Sequence, residues 1–128
     1  MGSKAFWDER NMTMHGKEME KIQLEKLKKQ LRYEYNSSPF YRERIEAANI
    51  IPEKLESVKE LQKIAVFTKD EHRKSQEESL RQFGHPYGLH VCAPKDKVVL
   101  VNATSGTTGI PTFYTFTQKD ILTNDECT

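Results

Sequence analysis

The sequence has few of the features that would assign it to a specialised class of protein. It contains two cysteines among 128 residues, which is too few for the disulfide framework of a small secreted domain. No apolar run approaches the roughly 18 residues of a membrane-spanning helix, and the amino terminus lacks the apolar core of a signal peptide. The net charge is +1, so no global field attracts nucleic acid or an anionic membrane. We therefore expect a soluble, cytoplasmic protein.

Charged residues are abundant instead. They make up 30% of the chain, against an average of about 25%, while apolar residues supply 36%. The length of 128 residues suits one domain. This composition is typical of a small polar domain, or of a piece of a larger domain whose other parts cover its apolar surface.

The segment from residue 104 to residue 112 is the most informative part of the sequence. It places hydroxyl residues and two glycines between two runs with the composition of β-strands, residues 97–103 and 112–117. Glycine lets a ligand approach the main chain closely, and successive N–H groups in such a turn form an anion-binding concavity. The hydroxyl groups add further donors. We therefore predict polyphosphate binding by Thr104, Ser105, Gly106, Thr107, Thr108 and Gly109.

Two better-known phosphate-binding motifs do not fit this segment. The P-loop motif requires a lysine after its last glycine, where this chain has Ile110. The dinucleotide fingerprint opens a helix, whereas Pro111 and a predicted strand follow here. No helix dipole would therefore face the ligand. Taken by itself, the segment is equally compatible with a hairpin turn that binds nothing.

Helical periodicity dominates the first half of the chain. An apolar stripe at spacings of three, four and four predicts a helix over residues 17–35, with interleaved acids and bases on its solvated faces; its members are Leu24, Leu27, Leu31 and Tyr35. Ser38 and Pro39 suit an N-cap and a first helical position, so a second helix is expected over about 40–48. We interpret Phe40, Tyr41 and Ile45 there as packing residues rather than substrate contacts.

Further helix starts are predicted from capping pairs three residues apart. They precede a short helix near 58–63, a longer helix near 69–80 and a helix that begins after residue 117; the pairs are Ser57 with Glu60, Thr68 with Glu71, and Thr117 with Asp120. Pro52 opens a further short turn. The Thr68 hydroxyl is interpreted as satisfying main-chain donors at the helix start rather than binding a ligand.

The segment 83–94 is predicted to be a loop, because it contains two glycines and two prolines. His85, His90 and Cys92 lie close together within it. Structural zinc sites usually take four ligands in paired spacings, so we assign neither a metal site nor a catalytic residue. The predicted fold class is α+β. Its parts are a polar extension (1–16), a helical region (17–96), a strand–loop–strand unit (97–117) and the start of a helix (118–128).

Four blocks of sequence, in order, resemble the phenylacetate–coenzyme A ligases, a branch of the adenylate-forming acyl-CoA synthetases. The loop alone indicates the superfamily, and the blocks around Ser38-Pro39-Phe40-Tyr41 and Phe67-Thr68-Lys69 indicate the narrower branch. The similarity runs from about Trp7 to about Asp120. The blocks are Leu24–Leu27 through Ser38–Arg42, Leu61–Asp70, Tyr87–Leu89 and Ser105–Gly109.

This resemblance implies a larger adenylate-forming fold and a two-step reaction. An aromatic carboxylate would attack ATP, with Mg²⁺ present, to give an acyl adenylate and pyrophosphate, and the thiol of coenzyme A would then take the acyl group. Ser105, Thr107 and Thr108 would donate to the β- and γ-phosphates. Small molecules are the expected partners, nucleic acid and membranes are not, and a homodimer stays open.

Two departures from the family accompany the resemblance. Family members usually carry lysine at the position of Ile110 and continue for several hundred residues beyond the position of Thr128. We therefore expect an N-terminal fragment that has no ligase activity alone. Two alternatives remain: an adenylate-forming enzyme with a different acid or acceptor, and a non-enzymatic helical module that binds a partner through the 17–35 stripe.

Overall fold

The computed structural model describes residues 8–104 and 111–125, and these residues form an α+β fold, as predicted. Their helices and strands are α1 (Glu9–Met12), α2 (Gly16–Ser37), α3 (Pro39–Ala47), α4 (Lys69–Phe83), β1 (Val98–Ala103), β2 (Phe113–Thr117) and α5 (Gln118–Asp125). Short 3-10 segments occupy Pro52–Lys54, Val58–Lys63 and Lys95–Lys97. None of the helices in these two ranges combines the length and apolar character needed to cross a membrane.

The apolar core lies where α2, α3 and the segment after α3 meet. Leu31 of α2 is 2% exposed and Ile45 of α3 is 1% exposed, and Ile50 and Leu55 complete the buried cluster. The remaining members of the predicted stripe are partly buried against it: Leu24, Leu27 and Tyr35. The apolar stripe and its helix are thus confirmed, with Leu31 as the fully buried position.

The start of α3 differs in one detail from the prediction. Ser38 is at the N-cap position in extended conformation, but its side chain makes no capping hydrogen bond. Its hydroxyl donates instead to the carbonyl of Leu89 at 2.8 Å, and the residue is fully buried. The Ser38 hydroxyl therefore contacts the segment 83–94, which is distant in sequence, instead of capping α3.

The capping box predicted for α4 is confirmed. The main-chain N–H of Thr68 donates to the Glu71 carboxylate at 2.7 Å, and the main-chain N–H of Glu71 donates to the Thr68 hydroxyl at 3.3 Å. The helix continues three residues past the predicted end, to Phe83, and stops at Gly84 in the left-handed conformation with φ +72°. Glycine tolerates this conformation better than other residues, so it ends the helix.

The pair Ser57 and Glu60 does not form the predicted capping box. The Ser57 hydroxyl accepts from the N–H of Lys59, and the Glu60 carboxylate accepts from the N–H of Glu56. Residues Val58–Lys63 form a 3-10 turn rather than an α-helix. Such 3-10 turns are frequent as short connectors between longer elements.

Two further elements complete the comparison with the sequence. Helix α1 was not predicted; it is one turn, capped by Asp8, whose carboxylate accepts from the N–H of Asn11 at 3.1 Å. The predicted start of α5 is confirmed, because the N–H of Thr117 donates to Asp120 at 2.7 Å and the N–H of Asp120 donates to the Thr117 hydroxyl at 3.3 Å.

Strands β1 and β2 form an antiparallel hairpin, as the alternating sequence predicted. The register pairs Val101 with Thr115 and Ala103 with Phe113, and it shifts by one residue between Val98 and Leu100. The side chains of β1 are mostly exposed, and Val99 is 56% exposed. An isolated two-stranded sheet is marginal in water, so its contacts with α4 are important for its stability.

Candidate functional site

The ends of the predicted phosphate-binding segment are held together by two hydrogen bonds between Thr104 and Thr112. The N–H of Thr104 donates to the Thr112 carbonyl at 2.9 Å, and the N–H of Thr112 donates to the Thr104 hydroxyl at 3.2 Å. Thr104 is exposed, whereas Thr112 is fully buried. The other predicted phosphate-binding residues lie outside the described residues: Ser105, Gly106, Thr107, Thr108 and Gly109. The structure thus gives the stem on which that segment is mounted.

Helix α4 supplies the scaffold beneath this stem through an unusual buried face. Its four buried residues are all polar, at 5% exposure or less: His72, Ser75, Gln76 and Ser79. Spacings of three, one and three place them on one face of the helix. Polar groups are buried at little cost only when they are hydrogen-bonded, so each of these side chains requires a partner.

Gln76 contacts the first residue of β2. Its side-chain N–H donates to the carbonyl of Phe113 at 3.0 Å, and the N–H of Phe113 donates to its side-chain oxygen at 3.4 Å. The two residues are 37 positions apart in sequence. This pair of bonds connects α4 directly to the strand that follows the predicted phosphate-binding segment.

Ser75 and Ser79 hold the loop 84–94 against α4. The Ser75 hydroxyl accepts from the N–H of Leu89 at 2.7 Å and lies 3.1 Å from Nδ1 of His90. The Ser79 hydroxyl donates to the carbonyl of His85 at 2.8 Å. The loop approaches closely at Gly88, which has φ +102°; a Cβ there would lie 2.2 Å from Cε1 of His90. Only glycine fits this position without displacing the His90 ring.

The loop residues considered as metal ligands have other contacts. Nδ1 of His85 lies 3.2 Å from the Ser79 hydroxyl, and His90 pairs with Ser75. Burial raises the pKa of the Cys92 thiol to about 11, with a smaller contribution from Glu34, so it is not a thiolate at neutral pH. Within residues 8–104 and 111–125, no group of three or more potential ligand side chains could hold a metal ion.

His72 and His90 form a close pair beside the stem. Their ring centroids are 4.3 Å apart and the rings are nearly perpendicular. Burial, together with the neighbouring His72, lowers the pKa of His90 to about 4. Burial also lowers the pKa of His72, although a hydrogen bond with the Phe113 main chain opposes this shift. Both rings are therefore neutral at pH 7, as expected for titratable groups away from water.

Aromatic side chains surround this histidine pair. Phe67 packs edge-on against Phe40 at 5.3 Å and lies 5.6 Å from His90, while Tyr114 packs edge-on against His72 at 5.1 Å. Such edge-to-face contacts are the favoured geometry of aromatic pairs. The cluster joins α3, the start of α4, the loop 84–94 and β2 into one packed unit.

A cavity of about 490 Å³ opens between this cluster and the stem. Its walls combine aromatic rings, two threonine and two tyrosine hydroxyl groups, an ammonium group and the two imidazoles; the lining residues are Tyr41, Phe67, Thr68, Lys69, His72, His90, Thr104 and Tyr114. Nε2 of His72 is buried and has no hydrogen-bond partner among the described residues. Tyr41, predicted to be a packing residue, thus lines the cavity that adjoins the predicted phosphate-binding segment.

An ion pair fixes the edge of this unit. Arg44 of α3 contacts the Glu71 carboxylate at 2.6 Å and lies over the Phe40 ring at 4.5 Å from its centroid. The main-chain N–H of Thr68, followed by Arg44, lowers the pKa of Glu71 to about 2. Glu71 is therefore ionised at neutral pH and links the capping box of α4 to α3.

Sequence reasoning missed the buried face of α4, including His72 and Gln76. One signal was present: from Lys69 to Ser79, these four residues occupy the only positions of α4 that carry no formal charge at neutral pH. The hydrophobic periodicity used to detect core-facing helices ignores such a stripe, because none of its members is apolar.

Three comparisons place the chain among known proteins. No family model matches it. Phenylacetate-coenzyme A ligase of Aromatoleum evansii is 36% identical over 106 residues, which are 83% of this chain and 22% of that protein. The enzymes of the same name from Escherichia coli and Thermus thermophilus are 32% and 33% identical over 104 and 109 residues, or 81% and 85% of this chain and 22% of each relative.

Solved structures of similar fold are also coenzyme A ligases. A crystal structure of 2-hydroxyisobutyryl-CoA ligase in complex with 2-HIB-AMP and CoA has a TM-score of 0.72 and 33% sequence identity, covering 84% of this chain and 22% of that one. An open conformation of the same ligase gives a TM-score of 0.70 at 29% identity, with the same coverage.

The sequence comparisons and the structural comparisons match a similar, limited part of each relative's length. The chain spans about 22% of the length of the curated relatives that it matches. Within that span the sequence comparison and the structural comparison both point to coenzyme A ligases. The chain's resemblance to the phenylacetate–coenzyme A ligase family, inferred from four blocks of its sequence, is therefore confirmed.

Proposed function

We propose that this chain is part of an ATP-dependent, AMP-forming acid–thiol ligase that acts on an aromatic carboxylic acid. The observation that carries the proposal is the strand–loop–strand unit closed by Thr104 and Thr112, in a chain similar to a ligase crystallised with an acyl adenylate and CoA. The four phenylacetate-coenzyme A ligases, at 32–36% identity, favour an aromatic acid.

In this proposal the segment between the two strands binds the phosphates of ATP. Ser105, Thr107 and Thr108 donate to oxygens that gain charge as pyrophosphate leaves, and the glycines permit close approach of the main chain. Donors held in place before the reaction stabilise the developing charge without any covalent step. The stem and its contacts with α4 supply that rigidity.

The complete enzyme would use ATP, Mg²⁺ and coenzyme A as small-molecule partners. Mg²⁺ prefers carboxylate and phosphate oxygens, and we assign no described residue of this chain to it. We also assign no general base and no nucleophile, since the role of this segment is to hold phosphate. Because the chain spans about 22% of the length of its curated relatives, we expect the isolated 128-residue chain to have no ligase activity of its own.

A second candidate function differs only in the acid. The structural relatives are ligases of 2-hydroxyisobutyrate, a small aliphatic hydroxy acid, and they are 29–33% identical to this chain. This identity is close to that of the phenylacetate enzymes. An aliphatic hydroxy acid is therefore the alternative substrate class for the same two-step reaction.

Acid-dependent exchange of labelled pyrophosphate into ATP tests both candidates in the complete protein that contains this chain. We expect exchange with phenylacetate. Exchange with 2-hydroxyisobutyrate alone would keep the ligase assignment and replace the acid. No exchange with either acid, in a protein shown to be folded, would contradict the proposed function.

The loop itself is tested by replacing Thr107 and Thr108 together with valine, which preserves shape and removes both hydroxyl donors. Loss of one donor to a developing anion costs about 2.7–4 kcal/mol in well-studied sites, so adenylation should slow by at least about a hundredfold. Thioester formation from preformed adenylate should slow less, because pyrophosphate has already left. Ile110→Lys, which adds a cation at the loop, should preserve or raise the rate. A wild-type rate of adenylation in the double variant would show that these hydroxyls do not bind phosphate.

A further inference from the structure

The first residue of β2 directs its main-chain groups away from its partner strand. Phe113 is paired with Ala103, while the neighbouring residue Thr112 accepts the ladder bond from Thr104 at 2.9 Å. In an antiparallel pair, the N–H and C=O of alternate residues point toward or away from the partner strand. The N–H and C=O of Phe113 point outward and meet the Gln76 side chain on α4.

The Gln76 amide therefore takes the place of a neighbouring strand at this position. A carboxamide presents one donor and one acceptor in the same plane, as a peptide group does. Its bonds to Phe113 are 3.0 Å and 3.4 Å long, and the side chain is 5% exposed. A strand edge closed in this way cannot add another strand at Phe113.

The contact between Gln76 and Phe113 lies next to the stem that carries the predicted phosphate-binding segment. Phe113 follows Thr112, and Thr112 closes the stem with Thr104. Helix α4 is fixed at its start by the Thr68–Glu71 capping box and by Arg44, so Gln76 extends from a rigid element. A change of about 1 Å in the position of a catalytic segment can slow a reaction about a hundredfold.

We propose that Gln76 is a positioning residue for adenylation, whose amide holds β2, and with it the Thr104–Thr112 stem, at a fixed place on α4. This inference rests on the proposed function, because adenylation is the reaction whose rate would report it. Gln76 itself contacts no substrate in this proposal. It acts through the main chain of Phe113.

The experiment compares two variants of Gln76 with one control in the complete protein. Gln76→Met removes the donor and the acceptor while keeping most of the buried volume. Gln76→Glu keeps an acceptor but has no donor for the Phe113 carbonyl while it is ionised. Gln82→Met makes the same change at an exposed glutamine on α4, whose amide contacts Glu78.

We expect Gln76→Met to lower kcat for acid-dependent pyrophosphate exchange by about tenfold to a hundredfold. The KM for the carboxylic acid should change less than twofold, and Gln82→Met should match the wild type. Gln76→Glu should be slow at pH 8 and recover toward pH 6, relative to wild type at each pH. The protonated carboxyl supplies the missing O–H donor, and burial raises its pKa into this range.

Each result bears on a defined conclusion. Wild-type kcat in Gln76→Met would overturn the positioning role, and so would a Gln76→Glu variant with no recovery at low pH. If Gln76→Met fails to fold, as judged by its thermal unfolding midpoint, the pH profile of Gln76→Glu decides. A wild-type protein without any exchange would instead contradict the proposed function itself.

Discussion

Helices α2 and α4 bury opposite kinds of side chain. Helix α2 buries Leu31 within an apolar cluster. Helix α4 buries polar residues such as Ser79, at 0% exposure, while the adjacent Leu80 is 54% exposed. The buried face of α2 is stabilised because apolar area is removed from water. The buried face of α4 is stabilised by hydrogen bonds, which require each partner to keep its position. Truncations should therefore be costly at α2 through cavities, and at α4 through unsatisfied polar groups.

The largest expected effect on stability lies in the apolar region. Leu31→Ala should lower the free energy of unfolding by about 2–5 kcal/mol, because it leaves a cavity in a fully buried site. Urea denaturation of the wild type and the variant measures this difference. Leu27→Ala, at a partly buried position of the same stripe, should cost less.

Lys29→Ala on the exposed face of α2 is the control, with an expected change within about 0.5 kcal/mol. Equal denaturation midpoints for the Leu31 and Lys29 variants would show that the stripe does not face the core. The proposed contrast between the apolar buried face of α2 and the polar buried face of α4 would then not hold.

The second effect is a pH dependence that belongs to the polar region. The pKa of His90 is about 4 in the folded protein, against about 6.5 when unfolded. The unfolded state therefore binds more protons below pH 6.5, so stability should fall as the pH drops from 6.5 to 4 and level off below that. The loss should be at most on the order of 3 kcal/mol, and the lowered pKa of His72 acts in the same direction.

Denaturation midpoints measured between pH 7 and pH 4 check this expectation, with His90→Gln as the comparison. That variant should have a flatter profile across the interval. Glu71, with a folded pKa of about 2 against an ordinary 4.5, also begins to lose its stabilisation at the acid end of this interval, but equally in wild type and variant, so the difference between the two profiles reports His90. Identical profiles for wild type and variant would show that His90 is not buried as a neutral ring.

The two regions also differ in how far the sequence predicted them. The leucine stripe, the hairpin and the Thr68–Glu71 cap follow from patterns of a few residues, and all three are present. The contact between Gln76 and Phe113 spans 37 positions, and that between Ser38 and Leu89 spans 51. Local periodicity and capping rules contain no information about such pairs.

The candidate site was predictable only in part for the same reason. The hydroxyl- and glycine-rich composition predicted a phosphate-binding segment, of which Thr104 lies among the described residues, and its role stays a prediction. The α4 scaffold was not identified, because a buried serine or glutamine resembles an exposed one until its partner is known. Ser57 shows the converse error: it has capping-box spacing, yet its hydroxyl accepts from the N–H of Lys59 and the segment forms a 3-10 turn.

The third effect tests the polar face through Ser75. Replacing it with alanine removes a methyl-sized polar group, so little cavity forms. The N–H of Leu89 and Nδ1 of His90 each lose a partner, at 2.7 Å and 3.1 Å respectively. An unsatisfied buried group costs about 1–3 kcal/mol, so the free energy of unfolding should fall by that amount.

Ser37→Ala provides the matched control, since it makes the same chemical change at an exposed position. Its expected effect is within about 0.5 kcal/mol. Equal urea midpoints for Ser75→Ala and Ser37→Ala would mean that hydrogen bonds do not stabilise the α4 face. The contrast between the two helices would then be one of composition without an energetic consequence.

The smallest expected effect on stability lies at the start of α4. It tests whether the helix cap and the buried polar face contribute independently to stability. Thr68→Ala removes the hydroxyl that accepts from the N–H of Glu71, and loss of an N-cap side chain costs about 1 kcal/mol. Thr68→Ser, which retains the hydroxyl, should restore most of that loss. Because the cap lies at the end of α4 away from Ser79, the stabilities of Thr68→Ala and Ser79→Ala should combine additively in the double variant. An interaction free energy above about 0.5 kcal/mol in this double-mutant cycle would contradict that expectation. It would show that the cap at Thr68 determines the position of the polar face as far as Ser79.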